Sequence, residues 1–252
     1  LIAFSGMILA LLLLHLGTVL VSVVAILVAV VLTLLIACGI GVIHASLVHK
    51  LRLPPFVVTL ASLLILRSQS LISNKQLPVS VADFPALLYL ANGKVLGIPV
   101  PLIIMLVIAA TVHLLLTRNR VGRYLYSIGS NEQATKLSGV NVYKVKLFAY
   151  CTSAFCGGLA GILYAAYGGQ GDPLCGNGYE MDAVAASVVR GANLMGGEGS
   201  IIGTVLGALL LHTIFSSINL TLSSPDIWRG TVVGSVLLFA VLVTAIRKGR
   251  TA

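Results

Sequence analysis

The chain has 252 residues, 58% of them hydrophobic and 9% charged, with a mean hydropathy of +1.05. Ordinary soluble domains carry about 25% charged residues, so this composition excludes a soluble enzyme, a disordered chain and a nucleic-acid binder. The net charge of +9 sits in short segments between apolar runs, the pattern that orients membrane helices.

A helical crossing needs about 20 apolar residues. Runs of that kind lie at 1–15, 18–48, 55–73, 100–117, 146–168, 199–217 and 226–246, with a shorter eighth at 179–193. Aromatics are 6% and show no alternating outward band, which argues against a membrane β-barrel. The fold class is therefore all-α: a polytopic helical membrane protein of about eight spans, read as one domain over 1–252. The first run is apolar from Leu1 with no charged segment before it. That is a poor signal peptide and reads as a truncated transmembrane helix.

Lys50 and Arg52 follow the second run, and Pro54-Pro55 forces a new element to start just after them. Segment 74–99 reads as an outer loop with turn signals at Pro78, Pro85, Asn92-Gly93 and Pro99. Segment 118–146 holds Arg118, Arg120, Arg123, Lys136, Lys144 and Lys146, and the C-terminus holds Arg247, Lys248 and Arg250. With these basic segments cytoplasmic, only Lys75 and Lys94 fall in an outer loop, and Arg67, Arg190 and Arg229 lie in or beside spans. Parity then requires 179–193 to count as a crossing, which puts Leu1 and Ala252 both on the cytoplasmic side.

Within 118–146, Ser130 or Asn131 can cap a short helix. Glu132 falls in its first turn, where negative charge is favoured, and Lys136 follows at i, i+4. Ser138-Gly139 ends it, with Gly139 as the residue just past the cap. A helix of about two turns is unstable alone in water, so Ala134 and Leu137 need a surface, either their own membrane domain or a cytoplasmic partner. In the C-terminal half Gly157/Gly161 and Gly199/Gly203/Gly207 follow the spacing that lets helix backbones approach closely in lipid. Cys38, Cys151, Cys156 and Cys175 read as small apolar residues, and the five histidines show no metal-ligand spacing, so no metal or cofactor is expected. No phosphate loop of the G-x-x-x-x-G-K-[ST] type occurs, and Gly176-x-Gly178 follows no strand.

Residues 126–140, YSIGSNEQATKLSGV, resemble the coupling loop of bacterial ABC importer permeases of the ribose and monosaccharide type, whose pattern is close to aiGgNeeAArlsGI. Residues 178–186, GYEMDAVAA, resemble that family's G-x-E-L-D-A-I-A-A. Residues 194–204, LMGGEGSIIGT, resemble L-x-G-G-x-G-s-i-x-G-T, and 53–60, LPPFVVTL, resemble i-P-p-F-I-v-T-L. Together the motifs cover nearly the whole chain in the family's order. The resemblance implies about ten spans in a complete permease. The first two or so would be absent here, with Leu1-Ile2-Ala3-Phe4 following the family's G-G-I-D-L-S-V-G-S motif.

The resemblance further implies a bacterial inner-membrane permease that is not itself an enzyme. Its partners would be a cytoplasmic ATP-binding subunit, a periplasmic or extracellular sugar-binding protein, a second permease copy (identical or homologous) and membrane lipid. The 118–146 segment would be the cytoplasmic coupling loop, with Gly129, Asn131, Glu132, Ala134, Ser138 and Gly139 seating on the ATPase. Phe56, Thr59 and Asn193 are candidates for the solute path, since an aromatic face suits a sugar ring and the other two are polar on apolar segments. Glu180 and Asp182 either stabilise the start of the 179–190 helix or meet a binding protein at the outer mouth. Four positions depart from the pattern: Arg190 where a glycine is usual, His44-Ala45 where Asn-Gly is frequent, and Ala61 where Gly is common. A charge at mid-membrane costs about 2.5–3.5 kcal/mol, so Arg190 must face a wet cavity or a partner. Competing readings are a branched-chain amino-acid or nucleoside permease of the same superfamily, an ion-coupled secondary transporter, which would need intramembrane carboxylates, and an intramembrane enzyme, for which no nucleophile–base set is apparent.

Overall fold

The computed structural model describes residues 1–18, 21–189, 192–193, 196–221, 228, 230–236, 238 and 242. The expected span 226–246 therefore lies largely outside the described residues, as does Arg190. The chain forms two compact units, 1–106 with 141–176 and 107–140 with 177–252.

The first unit contains α1 (Ile2–Leu16), α2 (Ser22–Lys50) and α3 (Pro55–Ser73). Pro55 is the first residue of α3, where its missing N–H costs nothing. There follow β1 (Val79–Ser80), α4 (Pro85–Asn92), β2 (Lys94–Val95) and β3 (Ile98–Pro99). Helix α5 (Val100–Arg118) begins here and continues into the second unit. Two later helices, α6 (Arg120–Ser130) and α7 (Glu132–Leu137), belong to the second unit; α8 (Val142–Gly168) and β4 (Gln170–Gly171) complete the first.

Helices α1, α2 and α8 pack closely because small residues face one another. A side chain on Gly161 would strike the Ser5 hydroxyl and the Ile2 carbonyl of α1, and one on Gly41 of α2 would come within 2.8 Å of the Tyr150 carbonyl of α8. The packing role expected of Gly161 is thus realised. Gly157, by contrast, meets only the Leu1 side chain at 3.6 Å. The core contains Met7, Leu9, Leu13, Ile26 and Ile162. It also takes in Val79, Val81, Leu87 and Ala91, so the 74–99 segment is not simply a solvated loop. Strand β1 pairs antiparallel with β4, Val79 opposite Gly171 and Ser80 opposite Gln170, which ties this segment to the end of α8. His44, unusual for its position, is satisfied within the bundle. Its Nε2 lies 2.6 Å from the Ser62 Oγ of α3, and its ring meets Tyr150 edge-on at 6.3 Å. Ala45 beside it is fully buried, whereas Ala61 is on an exposed face.

The second unit adds α9 (Tyr179–Val189) and α10 (Ile201–Thr221). Gly207 lets these two meet, since a side chain there would strike the Ala186 carbonyl. Ala185, Ala186, Leu211 and Val233 form the local core. Gly199, the first of the expected packing trio, has among the described residues only Ala192 nearby, at 3.8 Å.

Among the described residues five helices are long and apolar enough to cross a membrane, namely α2, α3, α5, α8 and α10. The expected count of about eight is not reached. Helix α1 is apolar but 15 residues long. The 179–193 candidate contains α9, whose 11 residues span about 16 Å against a hydrocarbon core of about 30 Å. The helix therefore does not cross alone. The described residues flanking α9 are tied to different loops: Gly171 to Val79, and Gly197 to the end of α6.

Candidate functional site

The segment between α5 and α8 was expected to be a loop holding one short helix. It is almost entirely helical. Asn119 alone separates α5 from α6, and Asn131 alone separates α6 from α7. Helix α6 forms because Val121, Leu125 and Ile128 recur on one face and are half-buried, while Arg120, Arg123 and Ser127 are exposed. Gly129 consequently sits in the last turn of α6 and not in an open approach to α7.

Helix α7 is built as its residues dictate. The Asn131 side chain accepts a hydrogen bond from the Ala134 N–H at 3.0 Å, completing the N-cap. Glu132 lies in the first turn and Lys136 in the last, each at the favourable pole of the helix dipole. Gly139 has φ +81°, a conformation that costs glycine little. Its N–H donates to Lys136 at 3.1 Å and the Val140 N–H to Thr135 at 3.4 Å, the paired bonds of a Schellman ending. The Ser138 hydroxyl donates to the Ala134 carbonyl at 3.0 Å. All backbone features thus close within the helix.

The apolar side chains stay exposed. Within α7 only Thr135 is buried, with its hydroxyl donating to the Asn131 carbonyl at 2.8 Å. Glu132, Ala134 and Lys136 are exposed, and Leu137 is 89% exposed. The apolar pair that needs a surface does not find one among the described residues.

One contact escaped the reading of separate motifs. The end of α6 rests on the turn before α10. A side chain on Gly196 would lie 2.8 Å from the Gly129 carbonyl oxygen, and one on Gly129 would strike the Gly197 N. Gly196 and Gly197 both hold positive φ, +91° and +84°, and the turn is closed by Gly196 N–H to Asn193 at 2.9 Å and Asn193 N–H to Glu198 at 3.1 Å. Tyr126, not singled out from the sequence, donates its hydroxyl to the Gly199 carbonyl at 2.9 Å. The two glycine-bearing motifs were both visible in the sequence; their contact was not.

The candidate path residues fall in separate units, Phe56 and Thr59 in the first and Asn193 in the second. Phe56 is 70% exposed near the start of α3. Thr59 is exposed one turn on, its hydroxyl placed to donate to the Pro55 carbonyl at 3.0 Å or that of Phe56 at 3.1 Å. Asn193 is half-buried in the turn just described. Glu180 and Asp182 stand in the first turn of α9, as dipole stabilisation requires, the former exposed and the latter half-buried. Cys175, in the turn before α9, is buried. Burial, with Asp172 nearby, pushes its thiol up to about 11 against the opposing pull of Arg67. The described cysteines are free thiols. Among the described residues no three His, Cys, Asp or Glu side chains gather as a metal site would require.

Five helices long and apolar enough to cross a membrane, joined through a basic helical segment, define a multi-pass membrane protein. The family described as branched-chain amino acid transport system / permease component matches residues 1–243, and the chain belongs to it. It is 37% identical over 222 residues to the ribose import permease protein of Escherichia coli K12, covering 86% of this chain and 68% of that protein. It is 33% identical to the D-allose transport system permease protein of the same organism, covering 82% of this chain and 63% of the relative. To the xylose transport system permease protein of Haemophilus influenzae it is 38% identical, over 64% of this chain and 42% of the relative. No solved structure gives a significant match.

Proposed function

We propose that this chain is the membrane-spanning permease subunit of an ATP-driven monosaccharide importer of the bacterial inner membrane. The relatives named for ribose, allose and xylose support a sugar over a branched-chain amino acid or a nucleoside. The observation that carries the coupling role is Leu137, 89% exposed on a helix whose own backbone is fully capped. A six-residue helix is not stable by propensity alone, and an exposed leucine on it is an anchor for a partner. That partner is a cytoplasmic ATP-binding subunit, which seats α7 through Glu132, Ala134 and Leu137, while Gly129, Asn131, Ser138 and Gly139 hold α7 in shape. Closure of the ATPase on nucleotide pushes α7 and biases the permease between two packed arrangements.

In this scheme Lys50, Arg52 and the 118–146 segment face the cytoplasm. Phe56 offers a ring face to a sugar, and Thr59 and Asn193 offer polar groups; the Thr59 oxygen keeps lone pairs to accept from a sugar hydroxyl. Glu180, exposed at the head of α9, meets the external sugar-binding protein. A second permease copy, identical or homologous, completes the path.

The test is co-expression of the full-length protein with the ATPase of a sugar importer, followed by purification from detergent-solubilised membranes. The parent retains the ATPase. Glu132→Lys releases it while membrane insertion is unchanged, because a reversed charge in the first turn costs the helix only about 0.3–1 kcal/mol. A well-folded parent that retains no ATPase contradicts the proposal.

A further inference from the structure

We infer that the glycine contact between the end of α6 and the turn before α10 transmits the movement of α7 to α10 and α9, with Tyr126 as its positioning residue. The inference rests on the docking role proposed for α7 and supplies the route by which that docking is felt in the membrane.

The second unit contains a continuous stiff chain of contacts. Asn131 serves α6 and α7 at once: its N–H donates to the Ser127 carbonyl at 2.9 Å, and its side chain caps α7. No slack separates the two helices. On its other side α7 leaves through Gly139, around which a side chain would meet nothing within 4 Å. Displacement of α7 is therefore passed to α6 through the single residue Asn131.

At the end of α6 the contact is backbone on backbone. The Gly129 backbone touches those of Gly196 and Gly197, and beside it the Ser130 hydroxyl, which donates to the Tyr126 carbonyl at 3.1 Å, lies against Gly197. The backbone contact has no rotamers to absorb a shift, unlike a side-chain interface. The Tyr126 hydroxyl, one turn back, fixes the register by bonding to the Gly199 carbonyl. The turn then runs directly into α10 through the Thr204 N–H to Ser200 bond of 2.9 Å. Helix α10 holds α9 at Gly207, where the Ala186 backbone fills the space a side chain would occupy.

The experiment uses the full-length permease with its ATPase and its sugar-binding protein in lipid vesicles. It measures retained ATPase, ATP hydrolysis, and uptake of D-ribose, D-allose and D-xylose. Tyr126→Phe keeps the ring and removes one hydrogen bond. It is expected to retain the ATPase at the parent level while uptake per ATP falls about twofold to tenfold. Gly129→Ala is expected to fall further, because its methyl group must displace the Gly197 backbone. Gly97→Ala is the control for backbone strain. Gly97 has φ +83° and open space around it, so uptake per ATP stays at the parent value. Unchanged uptake per ATP in both Tyr126→Phe and Gly129→Ala overturns the inference. So does loss of the ATPase from Tyr126→Phe, which would make Tyr126 part of docking. A parent that retains no ATPase, or carries none of the three sugars, overturns the proposed function and this inference with it.

Discussion

Helix α7 and helix α8 are held by opposite means. Helix α8 has 27 residues and is fixed by distant chain: Gly161 receives the backbone of α1, and Ile162, Ala165 and Ala166 are buried in the shared core. Helix α7 has six residues and is fixed by its neighbours in sequence, Asn131 at one end and Gly139 at the other. The first arrangement is a fold element whose faces are filled from within the chain. The second is a shape displayed outward. The difference predicts that mutations in α8 act on stability, while mutations in α7 act on a partner.

The largest effect on stability is expected at Gly161→Leu. No space exists for the added side chain, and overpacking of this kind costs about 1–3 kcal/mol. The thermal unfolding midpoint in detergent should drop, and partner binding should fall only in proportion to the folded fraction. An unchanged midpoint would break the contrast from the α8 side. A smaller effect is expected at Asn131→Ala, which removes the N-cap at a cost of about 1 kcal/mol. The loss is local, so the global midpoint stays put while ATPase retention weakens about fivefold. Hydrogen exchange at the Ala134 amide should rise in the same variant; protection equal to the parent's would show that the cap is not what holds α7.

Cys175 sharpens the comparison from the folded core without any mutation. Its thiol is held at about 11, so about one molecule in a thousand carries the reactive thiolate at pH 8. Burial raises the value by disfavouring the charged form. Labelling by a maleimide, read by peptide mapping, is therefore slow at pH 8 and rises about tenfold for each pH unit below 11. A rate at pH 8 equal to that of an exposed cysteine would place Cys175 outside the core.

What was legible in the sequence follows the same division. The caps of α7 and the start of α3 at Pro55 are written in neighbouring residues; Pro55 and Gly139 were read correctly, and of the two candidate N-caps, Ser130 and Asn131, Asn131 is the one used. Helix α6 was missed because 118–146 reads as a polar, basic loop and the Val121, Leu125, Ile128 stripe is short. The packing of Val81 and Leu87 into the first unit was missed because the prolines and Asn92-Gly93 mark turns, and turns say nothing of what lies beneath them. The contact of Tyr126 with Gly199 joins residues 73 apart in the chain, and no local pattern encodes it. The count of about eight spans is not confirmed: among the described residues α1 has 15 residues and α9 has 11, and 226–246 lies largely outside them.

The most direct test of the central claim is Leu137→Ser in the full-length protein, with ATPase retention and the thermal midpoint measured on one preparation. Truncating an exposed anchor at the heart of an interface costs about 2 kcal/mol of binding, roughly thirtyfold, whereas a surface change moves stability by no more than about 0.5 kcal/mol. The account predicts that the ATPase is lost and the midpoint is unchanged. A retained ATPase, or a midpoint that falls as it does for Gly161→Leu, would show that α7 is packed within the permease and is not its docking element.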